Sequence, residues 1–315
     1  MIVDAHMHHA LNGFTTEKIF KYLSDNNIHK AWFLTWEDIY PPIPKINRNF
    51  SIEKVLEIYR QDKDRIVPFY APDPRRENVC ELLHYYKSIG IRGCGELKVA
   101  MDWEDPNIIK LLDCIDNLGF PLVFHMEKER YHYVSPTNSW FNEKFEKLMN
   151  GAFNGISRQY IELFINKTGL LKKKIKRNMV FFPGYLFNFS SLEKVIQQYP
   201  NIKFIAHGPE FWKNISAFPS TNKFFDKGKI KKEGLACQLL NTYPNLYADI
   251  SGKSGYNALS RDEKFTKQFL EKYYNKLLFG TDNFMFNQKK FIDSFSLPDY
   301  KASYLFYKNS EKLLK

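Results

Sequence analysis

The feature that most narrows the fold of this chain is a repeat. Eight short apolar runs are each separated from the next by sequence of helical character. The runs are residues 2–9, 31–35, 66–71, 91–99, 120–125, 201–208, 245–252 and 276–282. One of them, FPLVFH at 120–125, is almost wholly apolar, the mark of a strand covered on both faces in a parallel sheet. Between the runs the spacing predicts helices over 15–27, 51–60, 77–88, 106–118, 190–199, 235–243 and 261–275, with two more near 287–295 and 302–314. Val79, Leu82, Leu83 and Tyr86 form one apolar stripe. Thr15 or Thr16 and Ser51 stand where N-caps are expected, and Gly90 and Gly119 where helices stop. Strand–helix units in series give a parallel sheet with helices outside, and eight of them predict a closed (β/α)8 TIM barrel. An open doubly wound sheet is the alternative, but no GxGxxG follows the first run and no complete GxxxxGKS or GxxxxGKT phosphate loop is present.

Two connections exceed what one helical return needs. About eighty residues separate His125 from His207, and the part from about 127 to 180 is expected to form an inserted lid or extra helices. A second excursion runs from Pro209 to about Lys232. Both long loops, after strands five and six, begin straight after a histidine at a strand end, the face of a barrel that carries active sites. The whole of residues 1–315 reads as a single domain with these insertions.

The first run, IVDAHMHH, sets Asp4, His6 and His8 two residues apart. Alternation along a strand puts such residues on one face, so His6 and His8 project together from one strand end, a ready pair of metal ligands. Later runs add Glu96 on strand four, with Cys94 and Lys98 expected on the same face. His125 ends strand five, His207 strand six and Asp282 strand eight. A parallel barrel presents all these ends at one mouth. Imidazoles and carboxylates around one point suit zinc, with manganese or iron as alternatives. Asp249 and Ser251, near the end of strand seven, are placed to orient His207 or to contact substrate. Trp36 and Asp73 follow strands two and three, where packing and turn roles are expected of them. His9, His29, His84 and His132 read as surface or lid residues.

Composition bounds the partners. No run approaches 18 apolar residues, so no membrane-spanning helix is expected, and Asp4 and His6 interrupt any early signal-like stretch. Cys80, Cys94, Cys114 and Cys237 form no CxxC pair, which suits reduced thiols in a cytoplasm. The net charge of +11 favours anionic substrates or serves solubility. Its densest patch is KKKIKR at 172–177, read first as a solvated helix end. There is no separate nucleic-acid module, a small-molecule substrate is the expected partner, and a homo-oligomer is compatible with the sequence.

Taken together, DAHMH at 4–8, GELK at 95–98, FH at 124–125, AHG at 206–208 and GTD at 280–282 resemble the amidohydrolase superfamily of metal-dependent barrels. The closer likeness is to its amidohydrolase-related branch of hydrolases and aromatic-acid decarboxylases. The resemblance implies that His6, His8 and Asp282 bind one divalent metal. It implies that His125 and His207 bind a second metal or help bind or polarise the substrate. Many relatives carry a carboxylated lysine at the end of strand four. This chain offers Glu96 there instead, with Lys98 as the other candidate bridge. The activity implied is hydrolysis by a metal-activated water, with Asp282 as general base and histidine donors, His207 among them, holding the oxyanion. Non-oxidative decarboxylation of an aromatic or unsaturated acid is the alternative, and Glu96 tilts the reading toward hydrolysis. A barrel that binds without catalysis would be expected to have lost some of these ligands.

Overall fold

A computed structural model describes residues 1–38, 50–134, 144–146, 178–220, 225–284 and 287–315. Eight parallel strands alternate with helices: β1 (Val3–Met7), β2 (Lys30–Phe33), β3 (Ile66–Pro68), β4 (Cys94–Leu97), β5 (Leu122–His125), β8 (Phe204–His207), β9 (Leu246–Asp249) and β10 (Leu277–Leu278). Each lies inside one of the eight runs except β2, which starts one residue earlier, at Lys30. They form a three-stranded sheet, β1-β2-β3, and a five-stranded sheet, β10-β9-β8-β5-β4. Backbone bonds bridge the two seams. Ala5 N donates to Phe279 O at 2.9 Å on one side, and Arg92 N donates to Pro68 O at 2.9 Å on the other. The result is an α/β fold of barrel type.

Two apolar clusters explain why the strands are nearly continuous in hydrophobicity. Val3, Ala5, Trp32, Leu34, Val67, Phe69, Val123, Ile205, Tyr247 and Leu278 fill the interior. A much larger cluster packs the outer strand faces against the helices and includes Phe33, Phe124, Phe204, Trp103, Leu111, Ile115 and Leu270. The helices begin and end for local reasons. Asp105 caps Pro106–Leu118 by accepting from Asn107 N, Pro106 sits where a missing N–H costs nothing, and Gly119 closes the helix at φ 67°. Thr15 caps Thr16–Asp25 as expected. Ser51 stands at its N-cap position but turns its hydroxyl to Glu53 rather than to a backbone amide.

Several features depart from the sequence reading. An antiparallel pair of strands, β6 (Arg130–Tyr133) with β7 (Met179–Phe182), follows β5. The remainder of the 127–180 stretch, apart from 144–146 and residues next to these two strands, lies outside the described residues, as do the KKKIKR run and residues 39–49. The lid expectation therefore falls outside them. A helix, Gly252–Ser260, starts at the last residue of the seventh run and has no counterpart among the expected helices. Cys80 and Cys114 are joined between Val79–Ser88 and Pro106–Leu118 with Cα atoms 5.5 Å apart, against the expectation of four reduced thiols, while Cys94 and Cys237 are free and buried. A separation of 34 residues left that pair without a motif.

Candidate metal centre

Strict alternation fails at two of the strands that matter most. Pairing of β1 with β2 shifts register between Asp4 and Met7, and pairing of β4 with β5 shifts between Cys94 and Leu97. Such irregularities re-aim side chains. Ala5 joins the interior cluster, yet the next residue, His6, also faces the centre of the mouth. Cys94 turns to the outer cluster and does not share a face with Glu96, contrary to expectation. Asp4 likewise points away from His8. Its buried carboxylate accepts from Thr281 N at 3.0 Å, Thr281 Oγ1 at 2.6 Å and the Tyr22 hydroxyl at 3.0 Å. Burial pushes its pKa up to about 6, against those hydrogen bonds. Asp4 thus ties the end of β10 to β1. Asp282 N donates to His6 O at 2.7 Å, and the Asn283 side chain both accepts from His8 N at 2.7 Å and donates to His8 O at 2.9 Å. Asn283 carried no sequence signal, because it acts on backbone rather than on a ligand.

The six candidate side chains converge. His6 Nε2 lies 3.1 Å from His8 Nε2, and Glu96 Oε2 is 3.4 Å from His8 Nε2. Glu96 Oε1 is 2.6 Å from His125 Nδ1 and 3.9 Å from His207 Nε2. Asp282 presents one oxygen 3.5 Å from His8 Nε2 and 3.8 Å from His6 Nε2, and the other 3.9 Å from His207 Nε2. Three sets bring one ligand atom each to within 4.8 Å of one another: His6, His207 and Asp282; His6, His8 and Glu96; Glu96, His125 and His207. His125 joins only the last of these. The centre is buried, and Asp282, whose side chain is 16% exposed, is its most accessible member.

The outer hydrogen bonds decide what each imidazole can do. Asp249 accepts from His6 Nδ1 through one oxygen and from His207 Nδ1 through the other, both at 2.9 Å. Ser251 N donates to Asp249 Oδ1 at 3.0 Å, and the Ser251 hydroxyl bonds the same oxygen. His8 Nδ1 donates to Leu34 O at 2.8 Å. With protons fixed at Nδ1, the Nε2 lone pairs of His6, His8 and His207 turn to the centre. His6 and His8 then face each other lone pair to lone pair at 3.1 Å, an arrangement that calls for a cation or a proton between them. Burial opposes protonation of His6, but Asp249 overrides it, with Asp282 and Glu96 adding, and the pKa rises to about 9. Burial likewise opposes ionisation of Asp249, yet the two imidazoles hold its pKa far below the usual carboxylate range. The sequence places Asp249 to orient His207 or to contact substrate; its further grip on His6 crosses from β9 to β1 and has no sequence signature.

Around this core, His125 Nε2 bonds Glu127 at 3.1 Å, and Arg130 pairs with Glu127. Burial would raise Glu127, but His125 and Arg130 bring its pKa down to about 2. Trp36 stands edge-on to His8 with ring centroids 5.1 Å apart. Asp73 is bound by Arg75, which also pairs with Asp38 at 2.6 Å. Lys98 lies over the Trp36 ring at 4.5 Å. His29 and His84 are exposed and His9 half-buried, while nothing is described of the His132 side chain.

No family model matches the chain, and no curated protein matches it. Solved structures do share its fold. A zinc-containing amidohydrolase from Burkholderia multivorans is 9% identical, with a TM-score of 0.56 over 100% of this chain and 99% of that one. A probable 2-pyrone-4,6-dicarboxylic acid hydrolase from Acinetobacter baumannii, with citric acid bound, is 11% identical, with a TM-score of 0.54 over 99% and 98%. A 5-carboxyvanillate decarboxylase from Novosphingobium aromaticivorans, complexed with manganese and 4-hydroxy-3-methoxy-5-nitrobenzoic acid, is 12% identical, with a TM-score of 0.51 over 94% and 79%. At such identities the likeness is one of fold. The chain shares the barrel of amidohydrolase structures over nearly its whole length, in keeping with the resemblance carried by its motifs.

Proposed function

We propose that the chain is a metal-dependent hydrolase of a small molecule, using water at the mouth of its barrel. The observation that carries the reading is the pair of facing Nε2 lone pairs of His6 and His8, each with its Nδ1 already committed. His6, His8 and Asp282 are assigned to one divalent ion. His125 and His207 serve a second ion, or bind and polarise the substrate over a single one, and Glu96 lies between the two sets. Imidazole nitrogens completed by carboxylate suit zinc, with manganese as the alternative. The zinc and manganese in structures sharing the fold support that choice. When bound, the metal supplies Lewis acidity, lowering the pKa of water and polarising the scissile bond.

The residues then have distinct tasks. Asp282 is held by its backbone N–H on His6 O and is the most accessible member of the centre. One of its oxygens faces His6 and His8 and the other His207, so it can serve the centre with one and take a proton from water with the other. That proton is then available to the leaving group. His207, aimed by Asp249, completes the second set or, protonated, donates to the developing oxyanion. Decarboxylation on the same barrel is the second reading, supported by the manganese-containing decarboxylase that shares the fold.

The test offers lactones, amides, phosphoesters and aromatic carboxylic acids to metal-loaded protein in isotopically labelled water. Hydrolysis incorporates the label. Asp282→Asn lowers turnover by about two to four orders of magnitude with a much smaller effect on binding. Carbon dioxide release without incorporation overturns hydrolysis in favour of the lyase.

A further inference from the structure

Lys98 is the cation of the mouth that the proposed chemistry leaves unused. It follows Glu96 by two residues, just past the end of β4. Its ammonium lies 4.5 Å from the centroid of Trp36 and 5.6 Å from that of Tyr185. Those two rings are themselves set edge-on against the outer imidazoles of the centre. Trp36 meets His8 with centroids 5.1 Å apart, and Tyr185 meets His125 at 6.0 Å. The ammonium is therefore held between aromatic walls at the rim of the centre.

Its charge acts on Glu96 only across space. Lys98 makes no ion pair or hydrogen bond through its ammonium among the described residues, whereas Arg130 is taken up by Glu127 and Arg75 by Asp38 and Asp73. The acids its charge acts on have other commitments: Glu96 to His125 and His8, Glu127 to His125 and Arg130. Burial opposes ionisation of Glu96, and Lys98, followed by His125, overrides it. That field acts across space and leaves the ammonium's hydrogen-bond donors free. A half-buried ammonium with three donors, no acceptor and two aromatic walls is built to receive an anion.

We propose that Lys98 binds an anionic group of the substrate, a carboxylate or a phosphate, flanked by Trp36 and Tyr185. The substrate would thus carry a negative charge beside the bond presented to His6, His8 and Asp282. Lys98 is then a specificity residue rather than a bridging ligand. The proposal rests on the reading of the centre as a metal site.

The test uses metal-loaded protein with three probes: phthalate, inorganic phosphate and neutral dimethyl phthalate. Binding is read by calorimetry, and metal is counted in every sample. Wild-type protein is expected to bind phthalate or phosphate and to ignore the diester; the anion that binds identifies the group. Lys98→Met should weaken that binding about ten- to a hundredfold, the worth of a charge-assisted hydrogen bond, with metal content unchanged. Lys98→Arg should recover most of it. Anion affinity equal in wild type and Lys98→Met overturns the proposal, as does wild-type protein that binds neither anion. Loss of metal from Lys98→Met also overturns it, because the lysine would then serve the centre itself. Wild-type protein without metal fails the underlying reading instead.

Discussion

Asp249→Asn is the substitution whose consequence follows most directly from the hydrogen bonds. Asp249 accepts one Nδ1–H from His6 and one from His207, each at 2.9 Å. An asparagine of the same shape has one acceptor and one donor. It can satisfy one imidazole as before. The other meets an amide N–H, which forces its proton onto Nε2 and removes the lone pair that faces the centre. Disturbing a carboxylate that orients a ligand histidine costs about ten- to a hundredfold in metal affinity, or about 1.4–2.8 kcal/mol. With two histidines on one carboxylate, the upper end is expected. The assay is competition for zinc with a chromogenic chelator, run beside thermal melts in chelator. Asp4→Asn is the control, because Asp4 is equally buried but bonds Thr281, Tyr22 and the His6 backbone rather than a ligand ring. Asp4→Asn should lower the melting temperature and keep zinc affinity within a few-fold. Unchanged zinc affinity in Asp249→Asn, or equal losses in both variants, would refute the reasoning.

Other consequences follow from the same geometry. The pKa of His6 is raised in the metal-free site to about 9, so below that pH metal must displace a proton. Apparent affinity should therefore climb with pH by about one order per unit up to about 9, and calorimetry in buffers of different ionisation enthalpy should count the released proton. Affinity that is flat across neutrality would contradict this. Gly252 sits at φ 68°, and a Cβ there would come within 2.8 Å of Asp282 Oδ2, whereas Gly119 at φ 67° has nothing within 4 Å. Gly252→Ala should therefore lower both stability and metal affinity, and Gly119→Ala stability alone, by about 1–2 kcal/mol of backbone strain. Melting curves and zinc titrations on the two variants separate the effects.

The parts legible in sequence are those written in local patterns. Runs such as FPLVFH and KLLFG are apolar because each strand is covered inside and out, so all eight parallel strands could be read with approximate ends. The six candidate residues could be found because strand ends share one mouth. What escaped depends on contacts between distant segments or on breaks in periodicity. Gly252–Ser260 begins Gly-Lys-Ser-Gly and has little helical signal of its own; it packs on Pro209–Lys213. The register shifts in β1 and β4 re-aimed Asp4 and Cys94 away from the faces that alternation assigned them. The double role of Asp249, the clasp of Asn283 on His8, the Glu127–Arg130 support of His125 and the Cys80–Cys114 pair are all long-range or non-periodic. Chain order alone does not carry them.

The account's central claim is that His6 and His8, with Asp282, hold a divalent metal. Elemental analysis of purified wild-type protein beside a His6→Ala/His8→Ala variant, both grown in metal-supplemented medium, tests it most directly. Wild-type protein is expected to carry at least about one equivalent of zinc or manganese, and the folded double variant to lose it. A double variant that retains the full metal content, or wild-type protein that carries none after loading, would contradict the account.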